Sequence, residues 1–239
     1  MSKITSHTKT ISEFTDDERI QCHNLLLEEF DGVIWDDFIK DFEEKEYAMY
    51  LMSEGRIVGF STMMFIDVIV EGQNKKLIFS GDTTVLRKYR ESFGFAVEMA
   101  KLFVRAIDLF PCMEIYYVLI SKGYRTYRIL PFYFKHFSPS YICETSREEQ
   151  SIIAAFGQKK YPNQYRHNDG LLMFDGTTQR LKLDSIDAVQ PFKGNPHTDF
   201  FFKKNPDYLL GNELICIAKV CPENFTSAIV RLVPQKQKI

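Results

Sequence analysis

Hydrophobic and polar positions predict two helices near the start of the chain. Residues 15–30 begin with Thr15 and Glu18 in capping-box spacing, and an apolar stripe follows them. Residues 35–44 predict a second, shorter helix. A short strand is expected near residues 8–14. The chain therefore opens with a helical pair that has one apolar side to bury.

The pattern then changes to strands and returns to a helix. Residues 46–86 predict an antiparallel meander of three strands, the last at 77–86, with turns at 53–55 and 71–74. Residues 90–110 have helical spacing, and residues 113–120, MEIYYVLI, predict a buried central strand. Because strand–helix–strand crossovers are right-handed, the 77–86 and 113–120 strands are expected to be parallel neighbours.

The stretch LISKGYRTYRILPFYFKHF, residues 119–137, predicts a strand end followed by a helix that Pro131 interrupts or restarts. Helical spacing groups Tyr124 with Arg128 and Lys135 on one face. A second face carries the apolar stripe of Tyr127, Leu130, Phe134 and Phe137, which a helix would bury against a sheet.

Beyond Pro139 the pattern is weaker. Ser146 predicts the cap of another helix, Asp175-Gly176 predicts a hairpin turn, and Pro206 ends a short helix. Residues 212–220, NELICIAKV, predict a strand that could join the same sheet. The fold class is therefore α/β, or α+β, with a mixed, mostly antiparallel central sheet and helices on both faces. Residues 1–140 are interpreted as the main domain and 141–239 as a C-terminal α+β extension packed on it.

Composition narrows the class of protein. The chain has 239 residues, a formal net charge of −2 and 14% aromatic residues, of which Phe, with 21 copies, is the commonest. This charge gives no general attraction to nucleic acid or to an anionic membrane. The apolar runs are too short for a bilayer span and the N-terminus has no apolar signal core, so we expect a cytoplasmic protein. The five scattered cysteines are interpreted as reduced and mostly buried, and no metal site is predicted.

The segments VLRKYRESFG, residues 85–94, and RILPFYFKHFSP, residues 128–139, resemble motifs of the GNAT acyltransferase superfamily. The pairing of FSGDT, residues 79–83, with LISKGY-x-TY, residues 119–127, also resembles a poorly characterised group of GNAT-like bacterial proteins. VLRKYRESFG is similar to the family pattern V-x-P-x-Y-R-G-x-G at Val85, Tyr89 and Arg90. RILPFYFKHFSP is similar to the family ending A-x-x-L-Y-E-K-x-G-F-x-P at Phe132, Tyr133, Lys135, Phe137 and Pro139. The resemblance covers roughly residues 8–140. Glu91 and Phe93 depart from it, because they stand where the family has phosphate-loop glycines.

The resemblance implies that acetyl-CoA or another acyl-CoA binds as co-substrate, in a gap between two strands and at the start of the following helix. It also implies a small-molecule acceptor, by default an amine. A homodimer is possible for such a chain. The candidate acyl-CoA-binding residues are Thr83, Thr84, Val85, Arg90, Ser92, Gly94, Phe95, Ala96, Ser121 and Lys122.

Four residues are candidates for proton transfer. Asp82 lies in an otherwise apolar and hydroxyl-bearing strand, so it is either a general base or a carboxylate bonded to the backbone or to Lys122. Gly81 beside it could mark a β-bulge that opens the cleft. Tyr133 matches the family position that protonates the departing thiolate, and Tyr124 and Tyr127 compete for that role.

Each candidate also has a structural interpretation. The tyrosines could pack their rings, and Ser121 and Lys122 could form a simple strand-to-helix turn. Three other functions stay open: a non-catalytic GNAT-fold binding module with a degenerate phosphate loop, an acyl-thioester enzyme of different chemistry such as decarboxylation, and a nucleic-acid surface formed by the basic and aromatic residues of 119–137.

Overall fold

A computed structural model of the chain describes residues 3–167, 169–174, 179–182 and 194–232. Its main feature is an eight-stranded sheet of order β1-β3-β4-β5-β6-β10-β8-β7. The strands are β1 (Thr5–Thr10), β3 (Tyr47–Ser53), β4 (Arg56–Val70), β5 (Gln73–Val85), β6 (Glu114–Ser121), β7 (Tyr165–Arg166), β8 (Leu171–Leu172) and β10 (Glu213–Lys219). A separate pair joins β2 (Phe30–Asp31) to β9 (Arg180–Leu181).

Helices cover both faces of the large sheet. One face carries α1 (Asp16–Glu29), α2 (Trp35–Glu44) and α6 (Arg147–Lys160). The other carries α3 (Gly94–Leu109), α4 (Tyr124–Tyr127), α5 (Ile129–Tyr133), α7 (Pro196–Lys204) and α8 (Ser227–Leu232). We call these the α1 face and the α3 face. Among the described residues, no helix combines the length and the apolar character needed to cross a bilayer.

Local sequence signals account for the helix starts. Thr15 and Ser146 cap α1 and α6, and each takes part in a complete capping box, with Glu18 and Glu149 respectively. Asn195 caps α7 through its side chain, and Pro196 occupies the first helical position. The predicted caps at Thr15 and Ser146 are confirmed.

The predicted fold class is confirmed: the sheet is mixed, mostly antiparallel and covered by helices on both faces. Among the strands that the structure describes, the parallel pair is β5 with β6, as the crossover rule predicts for 77–86 and 113–120. The strand predicted at 212–220 is β10, which lies antiparallel to β6 in the same sheet. The strand expected near residues 8–14 lies instead at Thr5–Thr10. The predicted turn at Asp175-Gly176 lies outside the described residues.

Two local predictions are wrong. Tyr124 is 4% exposed, although helical spacing had put it on a polar face with Arg128 and Lys135. The spacing fails because α4 and α5 are two short helices rather than one, and because residue 134 already lies in a bridge to Phe225. The cysteines are not mostly buried either, since only Cys22 and Cys216 are.

Candidate functional site

The site begins where β5 and β6 separate. Their parallel pairing runs from Lys75–Glu114 to Ser80–Leu119 and stops there. Beyond that point β5 stays paired with β4 as far as Val85, and β6 stays paired with β10 as far as Ser121. A gap therefore opens between the C-terminal ends of the two parallel strands, which is where ligands of open sheets usually bind.

A β-bulge lies at the mouth of this gap. Ser61 pairs with Thr83 and Met63 pairs with Ser80, so Gly81 and Asp82 both lie opposite Thr62. The predicted bulge at Gly81 is therefore confirmed. A Cβ at Gly81 would lie 2.5 Å from Thr62 Oγ1 and 2.9 Å from Lys45 Cε, so this position needs a glycine for close approach.

The bulge decides which way Asp82 points. Ile78 packs with α3, and strict alternation would direct Asp82 to that same face. The extra residue reverses the pattern, so Asp82 lies on the α1 face, where it contributes to a cavity wall with Asp41 of α2. Thr83 returns to the other side, and its Oγ1 lies 2.7 Å from Ser61 Oγ.

The cavity has a volume of about 450 Å³ and is lined by both apolar and acidic side chains. Its carboxylates are Asp37, Asp41, Asp82 and Glu213. Its apolar walls include Leu26, Phe30, Val33, Phe38, Ile120, Tyr161 and Phe174. Residues from both halves of the chain meet here, since Tyr161, Phe174 and Glu213 come from the part beyond residue 140.

The carboxylate of Asp82 has no hydrogen bond or ion pair with any described residue. Burial and the nearby charge of Asp41 raise the pKa of Asp82 to about 6, against the opposing effect of Lys45 and Lys122. A carboxylate with this pKa changes protonation state close to neutral pH, which suits a general base.

The two lysines nearest in charge to Asp82 are Lys45, behind the cavity wall, and Lys122, which lines the cavity, and each pairs with another carboxylate. The fully buried side chain of Lys45 donates to Asp41 Oδ2 at 2.5 Å and to the Asp41 carbonyl at 3.0 Å. Lys122 Nζ lies 3.4 Å from Glu213 Oε1. Burial raises the pKa of Glu213, although Lys122 opposes the effect. Lys122 therefore pairs with Glu213, and Asp82 keeps its lone pairs for another group.

Four arginines gather beside the C-terminal end of the gap: Arg87, Arg90, Arg125 and Arg128, which we call the arginine group. Burial lowers the pKa of Arg125, and the charges of Arg90, Arg87 and Arg128 lower it further, with Glu29 opposing. Arg90 is anchored, since its Nε donates to the Val85 carbonyl at 2.9 Å and it forms an ion pair with Glu29. Such a concentration of positive charge favours a polyanionic ligand.

The start of α3 lies close by. Helix α3 has no side-chain cap at its N-terminus, while Ser92 Oγ accepts from Gly94 N at 3.2 Å. A Cβ at Gly94 would lie 2.5 Å from Leu51 Cδ2, so packing alone requires this glycine. Both Phe95 and Ala96 lie in the first turn of α3, where Phe95 is partly buried and Ala96 is buried in the core. Open backbone N–H groups at such a helix start can bind an anion.

The remaining acyl-CoA candidates differ in exposure. Thr84 is buried, and Val85 packs against Leu51, Val58 and Tyr89. Ser121 is fully buried, and its Oγ lies 4.0 Å from Cys216 Sγ. Lys122, by contrast, lines the cavity.

The three candidate tyrosines are all buried on the α3 face. Tyr127 donates its hydroxyl to the Pro139 carbonyl at 2.9 Å, and its ring packs against Phe137, Phe200 and Phe201. Tyr133 lies among Phe103, Tyr117 and Phe134. Burial raises the pKa of both phenols well above the usual range. Tyr124 is the first residue of α4 and directly follows the strand-end loop.

Sequence reasoning did not identify Asp41 or Glu213 as cavity residues. They come from separate elements, α2 and β10, and no motif links them. The sequence did contain a signal that Arg125 lies close to Arg87 and Arg90. The segments that follow two parallel neighbouring strands reach the same edge of the sheet, and these arginines lie in those segments. The described residues hold no cluster of His, Cys, Asp and Glu side chains suited to a metal ion.

No family model matches the chain, and no curated protein matches it either. Many solved structures do. They include a GCN5-related N-acetyltransferase from Kribbella flavida (TM-score 0.40, 14% identity) and a GNAT family N-acetyltransferase from Escherichia coli in complex with CoA (0.37, 16%). A GNAT family acetyltransferase from Elizabethkingia anophelis with acetyl-CoA bound also matches (0.41, 10%).

The matches differ in extent. The alignments cover 57%, 56% and 90% of this chain, and 34%, 71% and 97% of the three structures in the same order. This chain therefore spans about a third of the Kribbella flavida protein. Several of the similar structures are described as GNAT-family N-acetyltransferases. All three TM-scores lie below 0.5, so the chemistry has to be argued from the residues of this chain.

Proposed function

We propose that the protein transfers an acyl group from an acyl-CoA to a small amine. The observation that carries this proposal is Asp82: a carboxylate at the wall of a cavity, beside a gap between parallel strands, without a protein partner among the described residues and with its pKa raised to about 6. A purely structural carboxylate at this depth would be expected to have a partner.

The cavity favours an amine as acceptor. A protonated amine is attracted by Asp37, Asp82 and Glu213, and its carbon skeleton fits the apolar walls. Lys45 pairs with Asp41 and Lys122 pairs with Glu213, so neither lysine holds the carboxylate of Asp82. Asp82 is therefore the carboxylate best placed to accept a proton from the bound ammonium, directly or through one water.

The gap between β5 and β6 suits the thioester. Acyl-CoA supplies an activated acyl group, and backbone N–H groups on the unpaired edge of β5 would stabilise its carbonyl oxygen as negative charge develops. The amine reaches this carbon from the α1 face, where Asp82 lies. The C-terminal part of the chain belongs to the same site, because Tyr161, Phe174 and Glu213 complete the acceptor cavity.

The arginine group suits the phosphates of CoA. Arg87, Arg125 and Arg128 add positive charge near the end of the gap, and the start of α3 adds backbone donors. These cations offset the lack of phosphate-loop glycines. Within this scheme the motif residue Arg90 holds β5 to α1 through Glu29, so its contribution is to position the loop.

The departing thiolate needs a proton, and a phenol can supply one. Tyr124 is our first candidate because it is the first residue of α4 and directly follows the strand end. Tyr127 donates its hydroxyl to the Pro139 carbonyl. Tyr133 matches the family motif and stays the second candidate. Separate Phe variants at 124, 127 and 133 test this: the acid should lose about a hundredfold or more in kcat while acyl-CoA binding is kept.

The first experiment is thermal unfolding with acetyl-CoA and longer acyl-CoAs. Ligand at a hundred times its Kd should stabilise by about 2.7 kcal/mol, which raises the Tm of a chain of this size by roughly 5–10 °C. No shift at millimolar acyl-CoA rejects the transferase proposal. A shift without CoA release from any amine in a panel would favour the non-catalytic binding module instead.

The second experiment compares acyl transfer by the wild type and by Asp82→Asn. The variant should keep the acyl-CoA-induced Tm shift and lose about a hundredfold or more in turnover, because only the proton acceptor is removed. Asp169→Asn, in an exposed turn, is the control. Equal turnover of wild type and Asp82→Asn would remove Asp82 as the base.

A further inference from the structure

A second cluster of reactive side chains lies away from the cavity, in the segment between α5 and α6 and in the first turn of α6. Cys143 Sγ lies 3.4 Å from His136 Nδ1, and His136 Nε2 lies 2.8 Å from Glu149 Oε1. The thiol, the imidazole and the carboxylate thus form a continuous chain of contacts. None of the three residues lines the cavity.

This order of contacts fixes the imidazole for proton transfer. Burial raises the pKa of Glu149, but hydrogen bonds from the Ser146 backbone and from His136 outweigh it and hold the pKa below its usual range. An ionised Glu149 accepts a hydrogen bond from His136 Nε2–H. The neutral ring then keeps its lone pair on Nδ1, facing the thiol of Cys143, which is the arrangement that activates a nucleophile through an oriented base.

The surrounding structure holds the three groups in position. The backbone of His136 is clamped by Asn224, which accepts from His136 N at 2.8 Å and donates to its carbonyl at 2.9 Å. Glu149 is the third residue of α6 and also accepts from Ser146 N at 2.8 Å. Ser140 Oγ lies 3.6 Å from Cys143 Sγ. The cluster therefore rests on the cap of a helix and on a fixed loop.

Reagents can reach this thiol. The side chain of His136 is 51% exposed, and Cys143 is partly exposed. The other cysteines lack this combination: Cys22 and Cys216 are buried, and burial raises the pKa of both and of Cys221. Cys112 is exposed, and no described residue contacts its sulfur as a hydrogen-bond partner.

We propose that Cys143 is a reactive thiol that exchanges with low-molecular-weight disulfides, with His136 as the base and Glu149 as the residue that orients it. His136 Nδ1 takes the proton from Cys143 Sγ. The thiolate attacks one sulfur of the disulfide, so that a mixed disulfide forms on Cys143 while the original S–S bond breaks. The leaving thiolate takes the proton from His136, and atoms and charge balance without another reactant.

The test is site-resolved alkylation of the full chain with iodoacetamide at pH 6, followed by mass spectrometry. An unassisted thiol is almost entirely protonated at this pH. A base partner raises the thiolate fraction about a hundredfold, and the accompanying loss of nucleophilicity lowers the rate about tenfold. We therefore expect alkylation of Cys143 to be roughly tenfold faster than alkylation of Cys112. Glutathione disulfide should likewise modify Cys143 first.

Variants separate activation from mere exposure. His136→Gln should reduce the alkylation rate of Cys143 to that of Cys112, and Glu149→Gln should reduce it part of the way. Gln at the third helical position preserves the capping box of α6, so the second variant should fold normally. His167→Gln is the unrelated control. A Cys143 rate no faster than that of Cys112, or one that His136→Gln leaves unchanged, overturns the proposal.

Discussion

Replacing Asp82 by Asn should stabilise the folded protein at neutral pH while it lowers turnover about a hundredfold or more. The carboxylate of Asp82 is ionised at a half-buried position beside Asp41 and has no partner of its own among the described residues. Folding therefore moves an ionised carboxylate from water to a site where it is less well solvated, which costs free energy. An amide of the same shape avoids that cost, so loss of function and gain of stability should occur together in one variant.

The magnitude follows from the pKa. The carboxyl of Asp82 titrates at about 6 in the folded chain, against 3.8 for an ordinary aspartate. That difference corresponds to about 3 kcal/mol of destabilisation when the group is ionised. Water in the cavity screens part of this, so we expect a gain of about 2 kcal/mol for Asp82→Asn and a Tm higher by roughly 4–8 °C at pH 7.

The pH dependence gives the prediction its sign. Between pH 3.8 and about 6 the folded chain holds the Asp82 proton and the unfolded chain does not, so rising pH destabilises the fold across this window. Above about pH 6 both states are ionised and the full cost is present. The gain from Asp82→Asn should therefore be largest above pH 6.5 and disappear near pH 4.

The assay is thermal unfolding of wild type, Asp82→Asn and the exposed-turn control Asp169→Asn from pH 4 to pH 8. Only the difference between variants is compared, because other carboxylates also titrate at low pH. A Tm of Asp82→Asn equal to or below that of the wild type at pH 7 would refute the reasoning. A gain of the same size at pH 4 and pH 7 would refute it as well, since it could not come from the charge.

Three further outcomes are expected. Gly81→Ala should lower the free energy of unfolding by about 1–3 kcal/mol in urea titration, because its Cβ would lie 2.5 Å from Thr62 Oγ1. Adding Thr62→Ala to this variant should restore part of the lost stability. If the effects of the two substitutions are purely additive, the clash is contradicted. Arg125→Gln should weaken acetyl-CoA binding about tenfold in calorimetry and make it less salt-dependent, whereas Arg105→Gln, exposed on α3, should not. In the wild type, kcat/KM should rise with pH through about 6 as Asp82 loses its proton, and a profile with the same rise in Asp82→Asn would assign it to another group.

The sequence by itself determined most of the long helices and strands and their order, including α1, the meander of β3 to β5, α3, β6, α6 and β10. Capping residues such as Thr15 and Ser146 act within one turn of helix, so their effect can be read locally. The parallel pairing of β5 and β6 followed from the handedness of the crossover through α3. Gly81 and Asp82 stood out because a glycine and a carboxylate are unusual side by side in a buried strand.

Only the tertiary structure decided what surrounds these residues. The bulge turns Asp82 to the α1 face, and its register depends on the neighbouring strand β4. Asp41 reaches the cavity from α2 and Glu213 from β10, and Lys122 pairs with Glu213 rather than with Asp82 because of their positions in space. His136, Cys143 and Glu149 lie within fourteen positions of one another, yet no regular helix or strand spans them, so only the folded loop brings their polar atoms into contact. Charge and contact depend on distance in space, and a linear pattern records distance along the chain.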